Sequence, residues 1–461
     1  MVLISNTKKK ERKDNMNPSS GVQNALNEIR STLVETNQLY QTQIPIVDDY
    51  TSSQAYGQSL LALPSDLRNK FIQSLVNRIA YTKFTIDYFE NPLRELAGDD
   101  LPLGAIGQNI YVNPARGRIY DIDDFAGLLA KYEADIKSEY TEINHDVQYP
   151  VTIIRKELEK AFVSWGDFET FLTGISTSLY NGAYIDDYKY TKKLITNAYF
   201  DNSVQMETVS FAGATPTKDE LESLTEKLRE TFLNFQLPST KYNAWKKVGG
   251  YGRAIVSWSK PEDIVVFVST KLGSALSVKV LANAFNMSEA SLMGKVFYLD
   301  NLDIVTDEGV VVRDGSNIVA LICDRRWFRI REKAMFMDEF YNPNNRSWQN
   351  YLSVIKSFAT SFFANALMLV KEEPNIPIST MAFGVDSIEV KVGEEKEVLV
   401  NTTPFTATGE ITYTSSATSK ATATKVENKI VKITGVATGT STITATSGNV
   451  TATLNVTVVS A

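Results

Sequence analysis

Two hydrophobic periods divide the chain. Over its larger part, roughly residues 1–375, apolar positions recur at spacings of three and four, the period of a helix with one buried face. Ser164 and Asp167 open one such pattern, with Phe168, Leu172, Ile175 and Leu179 behind them. A turn is expected at Asn181-Gly182, followed by a second helical stretch through Tyr190, Leu194 and Ala198. Thr217 with Glu220 forms a capping box ahead of Leu221, Leu224, Leu228, Phe232 and Phe235, and Pro238 follows the end of that helix. Ile264–Val268, Val296–Leu299 and Ile318–Cys323 are short apolar runs of strand length. Helices and strands mix without a βαβ alternation, which predicts an α+β class. Beyond residue 384 the period falls to two. Ile388, Val390 and Val392 alternate with charged residues, and Val450, Ala452, Leu454, Val456 and Val458 with mostly polar ones. Glycines at 393, 435, 439 and 448 punctuate these runs at turn spacing, the pattern of a small β-sandwich.

Composition sharpens that break. From Gly384 to Ala461, 37 of 78 residues are Thr, Ser or Val, with no Arg and no Trp. The expected organisation is a main region over 1–375, a Pro-containing linker over 376–384 and an all-β domain over 385–461. Within the main region, residues 85–150 stand apart. Asn91-Pro92, Leu101-Pro102, Asn113-Pro114 and Tyr149-Pro150 interrupt regularity, and Ile110-Tyr-Val and Arg118-Ile-Tyr supply short strand candidates. Arg94, Arg116 and Arg118 mix there with Asp121, Asp123 and Asp124. So long an extended excursion buries little in its own domain, so it is either a lid or a contact on a neighbouring subunit.

The chemistry-bearing residues are few. Among 461 residues there is one Cys, Cys323, and one His, His145, which excludes an internal disulfide and a Cys/His zinc site. His145, between Asn144 and Asp146, reads as a surface residue outside any triad, and Cys323 as a small core residue. Asp121-Ile-Asp-Asp124 lacks the Gly and Glu of a calcium loop, since those positions hold Ala126 and Tyr132. Gly249-Gly-Tyr-Gly252 lacks the Gly-Lys-Ser/Thr ending of a phosphate loop and reads as a flexible loop. No catalytic, cofactor-binding or metal-ligating residue is expected, and no enzyme. The balance of 47 basic against 54 acidic residues, a net charge of −7, argues against a dedicated nucleic-acid binder, and Lys8–Lys13 reads as a solvated arm. The best apolar run of the first 380 residues, Ser357 to Val370, has 14 uncharged residues, short of the ~20 of a membrane span. The N-terminus places apolar residues before basic ones, the reverse of a secretory signal, so a soluble protein made in a reducing compartment is expected.

Lys160-Ala-Phe-Val-Ser-Trp-Gly-Asp-Phe-Glu-Thr-Phe171 resembles the major capsid protein family of the phi-twenty-nine-type small podoviruses. The resemblance continues, in order, through Leu179-Tyr-Asn-Gly182, Tyr184–Tyr190, Leu281-Ala-Asn-Ala-Phe-Asn-Met287, Cys323-Asp-Arg-Arg-Trp-Phe328 and Ser361-Phe-Phe-Ala-Asn-Ala-Leu367. The tail resembles a bacterial immunoglobulin-like domain of group two at Val385-Asp-Ser-Ile-Glu-Val, Val392-Gly-Glu, Ile411-Thr-Tyr-Thr-Ser-Ser416 and Val436-Ala-Thr-Gly-Thr-Ser-Thr-Ile-Thr-Ala445, with Tyr413 as its strand aromatic. These resemblances imply the Hong Kong ninety-seven-type phage capsid fold. Its parts would be an N-terminal arm over 1–60, an extended loop over about 80–150 and a peripheral domain that includes the Ser164–Leu179 helix and a returning stretch at 350–370. An axial domain would occupy about 205–335, with the immunoglobulin-like sandwich appended. The implied function is a major capsid protein assembling into the icosahedral head shell of a tailed phage. The implied partners are other copies of itself in pentamers and hexamers, a scaffolding protein, portal and head-fibre proteins, and packaged genomic DNA held non-specifically on the inner face. No cofactor and no membrane enter this reading. The protein would reside in the virion after assembly in the host bacterial cytoplasm, with Arg94, Arg116 and Arg118 at intersubunit contacts. The alternative is a cell-surface adhesin that binds through the immunoglobulin-like domain.

Overall fold

The structure, a computed structural model, describes residues 20–81, 89–98, 100–101, 106–120, 127, 130–211, 216–275 and 295–460. Its contacts divide the chain into two units. One comprises Met1–Gly107, Thr141–Thr191 and Ile330–Phe358, and the other Gln108–Tyr140, Lys192–Arg329 and Ala359–Ala461. The basic arm Lys8–Lys13, the acidic cluster Asp121 to Asp124 and the Leu281–Met287 motif lie outside the described residues.

The first unit packs helices on a three-stranded sheet ordered Phe328–Asn342, Ser347–Thr360, His145–Ile154. From Ser20 onward the chain runs through the helices Ser20–Val34, Leu39–Gln43 and Ser53–Ala62. Val22, Leu26, Ile29 and Leu33 follow one another at spacings of four, three and four along Ser20–Val34, and all four are buried in the core of the unit. The helix Trp165–Phe200 contributes Phe168, Leu172, Ile175 and Leu179 to the same core, and its start is capped as its sequence predicts, the Asp167 amide donating to Ser164 Oγ at 3.1 Å. Phe162 stacks on Phe168 with ring centroids 4.6 Å apart, and Gly57, in the helix Ser53–Ala62, lies so close beneath Phe162 that a Cβ would fall 2.5 Å from its ring.

Two expectations fail here. No turn interrupts the helix at Asn181-Gly182. Gly182 instead admits the Tyr149 ring, 3.0 Å from where its Cβ would be, and Asn181 Oδ1 accepts a bond from the Phe89 amide at 2.9 Å. Both residues thus serve packing rather than chain reversal. His145 is not on the surface, being only 2% exposed, with its ring against Tyr190 and Phe358 at centroid distances of 4.5 and 5.4 Å. Burial pushes its imidazole below the ordinary 6.5, against the opposing pull of Asp187 and Asp186. On Phe328–Asn342, Met337 and Tyr341 pack against the core. Glu339 lies between them in the strand alternation, half-buried and without a counter-ion among the described residues, and burial pushes its carboxyl up to about 7.

The second unit is built on a five-stranded mixed sheet in the order Gln205–Thr208, Ala366–Val370, Ile318–Asp324, Ile264–Ser269, Val296–Leu299. The helix Lys218–Phe235 covers it with Leu224, Leu228, Phe232 and Phe235, and its start carries the full Thr217–Glu220 capping box. All seven residues of Ile318–Asp324 are buried, Cys323 among them. Asp324 at the strand's end is satisfied by the Arg326 guanidinium, which donates twice to its carboxylate at 2.9 and 2.7 Å. Asn365 is a second buried polar clamp, receiving a bond from Ser257 at 2.6 Å and donating to Ser259 and to the Phe235 carbonyl. The Cys323–Phe328 and Ser361–Leu367 motifs are therefore scaffold chemistry.

The tail forms two four-stranded sheets, Thr380–Phe383, Glu395–Thr403, Ile430–Gly435, Ala421–Glu427 and Ser387–Lys391, Val450–Val459, Gly439–Ser447, Thr412–Ser415. Between them lie Val390, Val398, Val400, Val431, Ile433, Ile443, Leu454, Val456 and Val458. Its first strand, Thr380–Phe383, falls inside the segment 376–384 expected to be a linker. Tyr413 packs against this core and donates to the Asn428 carbonyl at 3.0 Å, and burial pushes its phenol up to about 12. Among the described residues no helix is long and apolar enough to cross a membrane.

Candidate functional site: an exposed ribbon

Gly107–Val112 and Ile136–Thr141 form a two-stranded ribbon, of which Gln108–Val112 and Ile136–Tyr140 belong to the second unit. Asn109 Nδ2 donates to Glu139 Oε1 at 2.8 Å, and the Asn113 amide donates to the Asp135 carbonyl at 2.9 Å, which sets these residues opposite one another. Strand alternation then sorts the side chains. Ile110, Val112, Ile136 and Tyr140 are exposed, while Asn109, Tyr111, Asn113, Lys137 and Glu139 are partly or fully buried. The usual amphipathic order is largely inverted, with a polar face held against protein and a mainly apolar face turned to solvent, where Gln108, which donates to the Tyr140 hydroxyl at 3.1 Å, and Ser138 are its polar members.

Hydrogen bonds account for the inversion. Tyr111 donates to the Val256 carbonyl and rests its ring 5.8 Å from Phe363. Asn113 Oδ1 accepts from the Val256 amide at 3.0 Å while its Nδ2 donates to Asp135 at 2.6 Å and to the Ala254 carbonyl. Glu139 Oε2 accepts from the Phe362 amide at 3.0 Å, and Lys137 pairs with Asp135 at 2.7 Å. Together these bonds hold the Asp135 carboxyl below its ordinary range, Lys137 first and Asn113 next. The ribbon is thus anchored through its polar side, which leaves a mainly apolar surface presented to solvent.

Past the ribbon, Arg116, Arg118, Ile119 and Tyr120 are exposed, Ile119 at 92% and Tyr120 at 83%. Arg118–Tyr120, expected as a strand, is not one. Arg118 instead donates to the Tyr132 hydroxyl and lies 5.7 Å from the centroid of that ring. Arg94 belongs to the first unit, in the short turn Arg94–Leu96, with its guanidinium 5.9 Å from the Tyr184 ring centroid. It lines a cavity of about 240 Å³ with Asp187, Glu332 and Lys356, where Lys356 pairs with Asp187 at 2.7 Å and Glu332 at 3.2 Å. Arg116 and Arg118 share one loop, and Arg94 stands in a different setting.

Sequence reasoning missed the apolar residues of the second strand, Ile136 and Tyr140, and the polar anchors beneath the ribbon. An alternation signal was present in Ile136 to Thr141. The anchors gave none, because Asn113 finds its partners beyond residue 250. His145 is enclosed by rings and the buried Cys323 thiol is pushed up by burial and by Asp324, so among the described residues these two form no nucleophile–base pair. Among the described residues no group of three or more His, Cys, Asp or Glu is placed to hold a metal.

The ribbon thus stands on an α+β body whose fold has solved counterparts. The chain is similar to a chain in the capsid structure of Staphylococcus phage Andhra with a TM-score of 0.51 and 17% identity, over 63% of this chain and 87% of that one. Residues 26–370 match the model of the Phi29-like phage major capsid protein family, and the chain belongs to that family. Residues 378–458 match the group-two bacterial Ig-like domain. The major capsid protein of Bacillus phage B103 is 27% identical over 375 residues, 80% of this chain and 78% of that protein. That of Bacillus phage PZA is 29% identical over 305 residues, 66% of this chain and 64% of that protein. The protein is a phage major capsid protein, a structural class, and a component of the virion.

Proposed function

We propose that the subunit assembles into pentamers and hexamers of a closed icosahedral shell around double-stranded DNA, with the ribbon as its clasp on a neighbouring copy. The observation that carries this reading is the ribbon's inverted polarity, with Ile110, Val112, Ile136 and Tyr140 exposed above a hydrogen-bonded polar face. Burying that face against a second copy removes apolar surface from water without disturbing the anchors beneath. Residues of about 80–150 then act as the extended loop and those of about 205–335 as the axial domain. Arg94, Arg116 and Arg118 meet acidic groups of neighbours. Assembly proceeds in the host bacterial cytoplasm on a scaffolding protein, with portal and head-fibre proteins as further partners. The DNA contacts the inner wall non-specifically, and the net charge of −7 limits that adhesion to local patches.

Electron microscopy of the chain co-expressed with its scaffold tests the reading. Uniform closed shells are expected, and persistence of small particles with the scaffold present rejects it. Replacing Arg116 and Arg118 together by Ala should lower shell yield while leaving the subunit's unfolding transition in place. An unchanged yield removes the arginines from the clasp. A chain ending at residue 375 should still form shells, because the immunoglobulin-like domain is displayed rather than structural to closure.

A further inference from the structure

The Ig-like domain touches the rest of the second unit beside its tether, where Tyr199 donates to the Glu372 carbonyl at 2.8 Å and Thr408 to the Pro374 carbonyl at 2.9 Å. The loop after Thr403 presents Phe405 and Thr406. The Phe405 ring rests on Gly249, where a Cβ would lie 3.0 to 3.2 Å from three ring carbons, and Gly249 holds φ at +85°. Beside it, Asn202, only 7% exposed, donates from Nδ2 to the Thr406 carbonyl at 3.0 Å. Lys429 steadies the loop from within the Ig-like domain, donating to the Phe405 carbonyl with its Nζ 5.1 Å from the ring centroid. On the capsid side, Lys247 donates to the Val204 carbonyl at 2.7 Å and so ties the glycine loop to the chain leaving Asn202.

A helix end supplies the capsid side of this contact. Among the described residues two non-glycine residues take a positive φ, Asn202 at 50° and Arg346 at 52°, and Asn202 is the one under the Ig-like loop. Asn202 caps the helix Trp165–Phe200, where the Ser203 amide donates to the Ala198 carbonyl at 3.0 Å and an asparagine takes the left-handed conformation readily, so the helix end itself fixes the residue that meets Thr406. The family matches leave seven residues, 371–377, between the two domains. A free tether of that length would let its ends separate by an r.m.s. distance on the order of 14 Å.

We infer that Phe405 and Thr406 form a latch, seated on Gly249 and Asn202, that docks the Ig-like domain on its own capsid domain in one orientation. The domain is then a fixed projection of the subunit rather than an appendage swinging on residues 371–377. This holds for a single chain and does not depend on how shells assemble.

Cys323, fully buried, leaves introduced cysteines as the reactive thiols, so the full-length chain can be labelled selectively. Nitroxides at Lys218→Cys and Thr453→Cys, both exposed positions in the second unit, report the separation of the two domains by pulsed electron spin resonance. A single narrow distance distribution is expected, broadening about twofold or more when Phe405→Ala or Gly249→Val is added. A distribution already broad in the parent, or equally narrow in both variants, overturns the latch. Gly249→Val leaves the Ig-like sequence untouched, so it decides the matter if Phe405→Ala disturbs the fold of that domain.

Discussion

Glu339 offers a test of the first unit that turns on a single proton. It lies between Met337 and Tyr341, half-buried and unpaired among the described residues, and its carboxyl titrates near 7 against an ordinary 4.5. The native state therefore keeps a proton that the unfolded chain releases at lower pH. Between about pH 4.5 and 7 the native state binds more protons than the unfolded one, so raising the pH through that window lowers stability, which then stays level above it. At ~1.4 kcal/mol per unit, a fully enclosed carboxyl shifted this far would cost roughly 3 kcal/mol when ionised, and partial solvent contact reduces that to about 1–2 kcal/mol. Glu339→Gln removes the ionisation and nearly preserves shape. Urea unfolding of the two subunits side by side should give equal stabilities near pH 4.5 and a variant more stable by about 1–2 kcal/mol at pH 8. A difference that stays flat with pH, or a less stable variant at pH 8, refutes the reasoning and means that Glu339 has a counter-charge.

Gly57→Ala improves helix propensity by roughly 1 kcal/mol, yet its Cβ meets the Phe162 ring at 2.5 Å, so a net loss of about 1–3 kcal/mol and a lower thermal midpoint are expected. An unchanged or raised midpoint shows that the Phe162–Phe168 stack yields. His145→Phe should match the parent above pH 7 and gain relative stability as the pH falls below about 6.5, where the unfolded chain takes up a proton that the buried imidazole resists. Parallel pH profiles of the two proteins would remove that reading. Thr217→Ala deletes the capping box and should cost about 1 kcal/mol in urea, with Thr217→Ser restoring most of it. Equal midpoints for all three would show that the cap adds nothing.

What could be read directly from the chain was local. The Thr217 box closes over three residues, and the two-residue alternation of the tail needs no distant partner to be recognised. Asn181-Gly182 was misleading because a close approach and a tight turn both call for a glycine. The deciding ring, Tyr149, lies in a strand more than thirty residues earlier. His145 was obscured by its neighbours. Asn144 spends both ends of its amide on the Phe358 backbone, at 2.7 and 2.9 Å, and alternation turns the His145 ring inward between two polar residues. The ribbon's strand Gly107–Val112 could be anticipated at Ile110, but which of its faces meets solvent is set by Val256 and Phe362, which no window around residue 110 contains. The resemblance to a capsid family supplied the architecture that periodicity alone left as α+β.

The clasp proposed for the ribbon would also give the shell a temperature dependence. A clasp formed by Ile110, Val112, Ile136 and Tyr140 draws its driving force from water released by apolar surface, which is entropic near room temperature and carries a negative heat-capacity change. A lattice closed by such a clasp tightens on warming from the cold and loosens towards freezing. Subunits chilled before mixing should therefore stay dispersed, and a rise in temperature alone should set closure in motion.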